Sequence, residues 1–223
     1  FRRAVEQGYS DAQFRLGYMY DTGEGVRKNE KKAITWYRLA AEQGDSAAQY
    51  TLGLSLYYGE GDDKDIKGAV KWWLQAAEQG DSDAQLWLGR MHLSGEGVDQ
   101  NHKEALKWFL LSAEQGDSTA QLTLAALYVN GAGVIQDYKE GMKWLLLAAK
   151  QADSQAQGLL GAMYLEGKGV AKDYKMAHMW LNIATANGSE DAGAARDATE
   201  KLMSPEEVNE AQDMAREWVK NHP

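Results

Sequence analysis

The residues of this sequence whose types could do chemistry are four histidines, one dense acidic loop, a periodic line of lysines and five closely spaced glycine pairs. His92, His102, His178 and His222 contain no H-x-x-x-H pair and no carboxylate companion on a shared helix, so they lack metal-ligand spacing. Glu60, Asp62, Asp63 and Asp65 surround Lys64 densely enough to hold calcium, but the EF-hand spacing is absent and a solvated loop is expected. The pairs Gly23/Gly25, Gly59/Gly61, Gly95/Gly97, Gly131/Gly133 and Gly167/Gly169 have the G-x-G form of a phosphate cradle. None continues as a dinucleotide or Walker fingerprint, so structural turns are expected. Lys31, Lys67, Lys103, Lys139 and Lys175 would form a basic line, but acids such as Glu78 and Glu114 beside it point to an ordinary solvated face. No Ser/His/Asp set and no paired carboxylates fall at one locus, which assigns no catalytic residue, no metal and no cofactor.

The elements that hold these residues are set by a repeat. The phrase A-E-Q-G-D-S returns around Gly8, Gly44, Gly80 and Gly116, and Ala152 and Gly188 continue the same 36-residue step without a gap. Five full units follow, 9–44, 45–80, 81–116, 117–152 and 153–188. Each opens with a polar pair such as Asp45-Ser46 that can cap a helix, followed by apolar residues at helical spacing, for example Ala48, Leu52 and Leu56. This is helix A. A small residue after the leucine (Gly17, Gly53, Gly89, Ala125, Gly161) implies close approach of another helix, because glycine inside a helix costs about 1 kcal/mol.

Helix A is expected to stop at the G-x-G, and helix B to start after Asn29, Asp65, Asn101, Asp137 and Asp173, with Glu104 and Glu140 as capping-box partners. Helix B repeats a small residue, a tryptophan and a second bulky residue, as in Ala69-Trp72-Trp73. Trp36, Trp72, Trp108, Trp144 and Trp180 therefore share one structural position and are expected to be buried wedges. His92 falls where other units carry Tyr or Leu, which suits a satisfied interior or rim imidazole. At Ala152 a residue with a Cβ occupies the left-handed cap that glycine holds elsewhere.

A 36-residue unit reading A-x-x-x-L-G, Y-x-x-G-x-G-V, A-x-x-W and A-A-x-x-G closely resembles the Sel1-like repeats, relatives of tetratricopeptide repeats, over residues 9 to 188. The resemblance implies an all-α fold, an alpha-alpha superhelix of helix-turn-helix repeats with helix A on the concave side and helix B on the convex side. It implies a non-enzymatic scaffold or adaptor for a protein or peptide, in bacteria and often in periplasmic or secreted settings, with the cytoplasm an open alternative. Residues 1–8 match the second half of a helix B, so 1–188 reads as one solenoid whose open N-terminal repeat offers a face for weak self-association. Residues 189–223 read as a C-terminal helical cap, with Ser204-Pro205 starting its last helix and Trp218 sealing the stack.

The formal charge of −9 opposes binding to nucleic acid, and no apolar run approaches the length of a membrane span. The absence of cysteine excludes disulfides and thiolate chemistry. The stripe of helix A that lies off the Ala/Leu face is expected to face the groove. It carries Arg15 and Tyr18, then Thr51, Leu54 and Tyr58, then Trp87 and Arg90, residue types that dominate protein-interface hot spots. In units four and five the same stripe carries Thr123, Ala126, Leu159 and Ala162. Trp87 lies outside the tryptophan register and is expected to contribute to binding and little to stability. A second candidate surface is the convex run Leu74, Leu110 and Leu146. The rival function is an enclosed groove for a small ligand or glycan, or an enzyme-associated regulatory module.

Overall fold

The computed structural model describes residues 4, 5, 7–61 and 63–222. Among them are twelve α-helices and no strand. The helices are α1 (Ser10–Thr22), α2 (Glu30–Glu42), α3 (Ser46–Tyr58), α4 (Ile66–Glu78), α5 (Ser82–Ser94), α6 (His102–Glu114), α7 (Ser118–Asn130), α8 (Tyr138–Lys150), α9 (Ser154–Glu166), α10 (Tyr174–Ala186), α11 (Glu190–Glu200) and α12 (Pro205–Asn221). They fall into two compact units that divide between Gln115 and Gly116. The first holds α1–α6 and the second α7–α12. The partial helix assigned to residues 1–8 falls partly outside the described residues.

The starts and stops follow the cap chemistry. Asp45, Asp81, Asp117 and Asp153 accept the amide three residues on at 2.7–2.9 Å to open α3, α5, α7 and α9. Asn29, Asp65, Asn101, Asp137 and Asp173 do the same for α2, α4, α6, α8 and α10. Each odd-numbered helix from α1 to α9 ends on a left-handed glycine, the first of its G-x-G pair. Glu104 and Glu140 do not close capping boxes, however; their carboxylates pair with Lys107 and Lys143 one turn ahead. Among the described residues the reciprocal box forms only between Ser204 and Glu207, at the head of α12.

Packing within a repeat turns on the small residue of helix A. A Cβ placed on Gly53 would lie 2.3 Å from the Trp73 indole nitrogen, so α3 and α4 touch at van der Waals distance with the ring laid across the glycine. The fourth repeat moves the gap to the other helix: Ala125 stands where the others have glycine, and Gly141 of α8 lies where a Cβ would come 2.7 Å from Val129 Cγ2.

The deep wedge of helix B is the residue after the register tryptophan. Tyr37, Trp73, Phe109, Leu145 and Leu181 are at most 2% exposed. Trp108 and Trp180 are buried as well, but Trp36, Trp72 and Trp144 are only half-buried. The expectation of five buried tryptophans is thus corrected for three of them, and the indole nitrogen of half-buried Trp144 is itself buried without a hydrogen-bond partner.

A buried amide ladder joins the repeats. Gln13, Gln49, Gln85, Gln121 and Gln157 are each at most 7% exposed. Their carbonyls accept from Gln43, Gln79, Gln115, Gln151 and Asn187 at the ends of the B helices, at 2.7–3.0 Å. Gln49, Gln85 and Gln157 also donate to Ala41, Ala77 and Ala149 of the preceding repeat at 3.0–3.1 Å, a second bond to carbonyls that the Gly44, Gly80 and Ala152 amides already reach at the helix ends. At the far end of the second unit α11 and α12 pack on α10, and Trp218 stands edge-on to Trp180 at 4.7 Å.

Candidate functional site

In the first unit, α3 (SAAQYTLGLSLYY) carries no acidic or basic side chain and ends on two adjacent tyrosines. α5, one repeat on, presents Trp87 and Arg90 on successive turns. Trp73 of α4 lies fully buried beneath them, its indole N–H donating to the Tyr50 carbonyl at 3.2 Å. Trp87 stacks on Trp73 with centroids 4.7 Å apart and planes 22° from parallel. Tyr57 packs at 5.0 Å from Trp87, and Tyr58, 60% exposed, stands perpendicular to Trp87 at 6.3 Å. The Arg90 guanidinium lies 5.4 Å from the centre of the Trp87 ring. The result is an aromatic corner with a cation over its indole.

Charge at its edge is fixed by a short chain of contacts. The Lys64 ammonium sits 4.5 Å over Tyr57 and 3.6 Å from Glu96, and Glu96 accepts from the Tyr57 hydroxyl at 3.1 Å. Loss of solvent first, and then the hydrogen bond to the Glu96 carboxylate, raise the Tyr57 phenol above its ordinary value. Burial likewise raises Tyr50, seconded by the Asp83 charge. Both phenols are therefore neutral hydrogen-bond donors at physiological pH, suited to recognition of a surface rather than to base catalysis.

The structure brings together Tyr58, Trp87 and Arg90, and it places Leu54 and Trp87 against the same core cluster. Thr51 is half-buried on the same helix as Leu54. Arg15 and Tyr18 lie elsewhere, in an open recess of about 630 Å³ with Phe14 and Met19. Trp87 is not the peripheral ring expected from its position outside the register; half-buried and stacked on Trp73, it is also a part of the core. Tyr57, Lys64 and Glu96 were not foreseen. The available signal was the departure at position 57, where other repeats place Asp21, Leu93, Val129 and Leu165.

In the second unit the equivalent faces of α7, α9 and α11 form an open apolar recess of about 460 Å³, lined by Leu122, Ala126, Gly158, Leu159, Ala162 and Ala192. It holds no aromatic ring and no basic side chain. Among the leucines considered for the convex side, Leu74 is 40% exposed while Leu110 and Leu146 are half-buried. Leu111 and Leu147, one position later, are the more exposed pair.

The remaining candidates separate. Asp65 is engaged as a helix cap and Glu60 accepts from Ser55 at 3.3 Å, whereas Asp62 lies outside the described residues. Among the described residues no three His, Asp or Glu side chains converge to hold a metal. His102 opens α6, and His222 stacks on Trp218 at 3.8 Å. His92 is half-buried, but its Nδ1 has no hydrogen-bond partner, so the imidazole is not satisfied as expected. His178 is fully buried, 3.6 Å from Glu200, without a hydrogen bond at either ring nitrogen. Lys175 pairs with Glu210 at 2.9 Å, while Lys31, Lys67, Lys103 and Lys139 are exposed. Among the described residues no helix is long and apolar enough to cross a membrane.

Comparison with known proteins agrees with this architecture. The Sel1 repeat model matches residues 10–45, 46–81, 82–117, 118–153 and 154–189, one residue later than the periods drawn above. The crystal structure of c5321, a protective antigen of uropathogenic Escherichia coli with an SLR fold, is 36% identical and superposes with a TM-score of 0.87 over 100% of this chain. The chain spans about half of that antigen, 48% of its length. A Sel1 repeat protein from Oxalobacter formigenes is 35% identical, with a TM-score of 0.78 over 94% of this chain and 86% of its own. An immunity protein from Pseudomonas aeruginosa, at 22% identity and a TM-score of 0.55 over 85% of this chain and 72% of its own, shares the fold alone. No curated protein matches the sequence. Five gapless matches, the helix pairs and the two crystal structures agree on one conclusion: the chain belongs to the Sel1 repeat family.

Proposed function

We propose that the chain is a non-catalytic scaffold that holds a protein or peptide partner on the A-helix face of its first unit, with Leu54, Tyr58, Trp87 and Arg90 at the centre and Thr51, Arg15 and Tyr18 towards the margin. Sel1 repeat proteins are in general protein-interaction modules. The observation that carries the reading is the aromatic corner: Tyr58 is 60% exposed, on a helix without acidic or basic side chains, beside a half-buried indole with a guanidinium over its ring. Such rigid rings lose little conformational entropy on binding and supply much of the energy of protein interfaces. We further assign residues 189–223 a capping role, closing the apolar end of the last repeat against water.

The test is site-specific crosslinking. A photoreactive phenylalanine analogue at Tyr58 should crosslink a protein in lysate of the cells that make this chain. The same group at Leu111, on a B helix, should not. Equal capture from both positions, or capture from Leu111 alone, would remove the face from the proposal.

A further inference from the structure

We propose that the occupant of this face is an acidic peptide segment, one whose carboxylate pairs with Arg90 while a neighbouring apolar side chain packs into the angle between Tyr58 and Trp87; the inference rests on the binding face proposed above. The argument is one of charge. Among the described residues three Lys and Arg side chains are half-buried, and two of them have found a carboxylate, Lys175 in Glu210 and Arg196 in Asp197. Lys64, at the rim of the same cluster, has done so with Glu96. Yet among the described residues neither Arg90 nor Arg15 enters an ion pair.

Arg90 is half-buried with its guanidinium over an indole, a site where solvent is partly excluded and a charge–charge contact is less screened than at an open surface. A guanidinium above a ring face carries several N–H donors, enough to meet a carboxylate in a bidentate pair. Asp83 shares α5 with Arg90, but seven residues of helix set the two about 10 Å apart along the axis. The second arginine, Arg15, lines a recess with Tyr18 two repeats away, where Glu24 is also part of the lining. A nucleic acid would also offer anions, but the net charge of −9 opposes a polyanion far more than a short acidic peptide.

The experiment uses a random twelve-residue peptide library displayed on phage, selected on the full chain, with the enriched sequences then made as synthetic peptides. The expected result is enrichment of Asp or Glu within a few residues of Leu, Ile, Phe or Trp. The peptides should lose at least tenfold in affinity on Arg90→Gln and on Tyr58→Ala. Replacing the peptide's acid by its amide should cost the wild type the same tenfold and cost Arg90→Gln little, a coupling that does not depend on how the protein variants fold. Enriched peptides without acids, or with affinity unchanged by Arg90→Gln but lost on Tyr58→Ala, would overturn the acidic assignment and leave the binding face standing. Affinity unchanged by both substitutions, or no enrichment at all, would overturn both. A dimer in sedimentation that Tyr58→Ala dissociates would overturn the peptide in favour of a second copy of this chain.

Discussion

Replacing Gly53 by alanine adds a single methyl group to a helix that should welcome it, and the structure nonetheless requires the protein to be weakened. In an unconstrained helix the change gains about 1 kcal/mol of propensity. Here the new Cβ would lie 2.3 Å from Nε1, 2.5 Å from Cδ1 and 2.9 Å from Cε2 of Trp73. The indole cannot turn aside, because it is fully buried, held to the Tyr50 carbonyl at 3.2 Å and stacked beneath Trp87. Forcing α3 and α4 apart costs about 1–3 kcal/mol in overpacking. Losing the indole hydrogen bond adds about 1 kcal/mol. The net expectation is a destabilisation of about 2 kcal/mol, or about 8 °C in melting temperature for a unit of this size. Gly158 supplies the control, since a Cβ there meets nothing within 4 Å, and Gly158→Ala should stabilise by up to about 1 kcal/mol. Thermal and urea melts followed by circular dichroism measure both, and near-ultraviolet dichroism reports the Trp73–Trp87 stack. If Gly53→Ala melts at or above the wild type, close helix approach is not what the glycine serves.

Ala152, at φ 62°, is the only non-glycine with positive φ among the described residues, so Ala152→Gly should raise the melting temperature by the equivalent of about 1 kcal/mol; a lower temperature would refute the cap assignment. Gln49→Leu removes the bonds to the Ala41 carbonyl and from the Gln79 amide and should cost about 1–2 kcal/mol in denaturant melts, whereas a neutral result would mean that the ladder contributes nothing. Trp108→Ala should cost about 3–5 kcal/mol, and Trp87→Ala, which removes a half-buried ring stacked on the core, about 1–3 kcal/mol in addition to weakening any partner; equal melting of Trp87→Ala and the wild type would contradict the stack. Tyr37, Tyr50, Tyr57 and Tyr164 are all held neutral above the ordinary phenol value, so the stability they contribute is complete below about pH 10 and is lost as pH rises through their folded values. Phenolate absorbance should accordingly rise in two stages, the later one coincident with alkaline unfolding; a single stage before unfolding would refute it.

The repeat, the helix limits and the cap residues were legible because each rests on local chemistry. An aspartate before a helix, a left-handed glycine after it and a 36-residue period act within one or two turns of chain. The need for Gly53 was legible too, since its cost in a helix demands a compensating contact. The amide ladder was written in the sequence as an Ala-Gln pair in every repeat, from Ala12-Gln13 to Ala156-Gln157, but a glutamine on a helix reads as solvated until its environment is known. The candidate face was legible as a set of residue types, Tyr58, Trp87 and Arg90, but not as a cluster.

The sequence by itself determined the family, the helix pairs and the residue at which each helix turns back, because those depend on backbone preferences that short segments express alone. Only the tertiary structure decided which of two adjacent bulky residues, Trp72 or Trp73, fills the core, since a rotation of helix B by one residue exchanges them and both are apolar. It likewise decided that Trp87 stacks on Trp73 and that Tyr57 draws in Lys64 and Glu96. The Trp73–Trp87 and Tyr57–Glu96 contacts join residues of adjacent repeats, and their geometry depends on how closely the helices approach, which the small residues permit but do not specify.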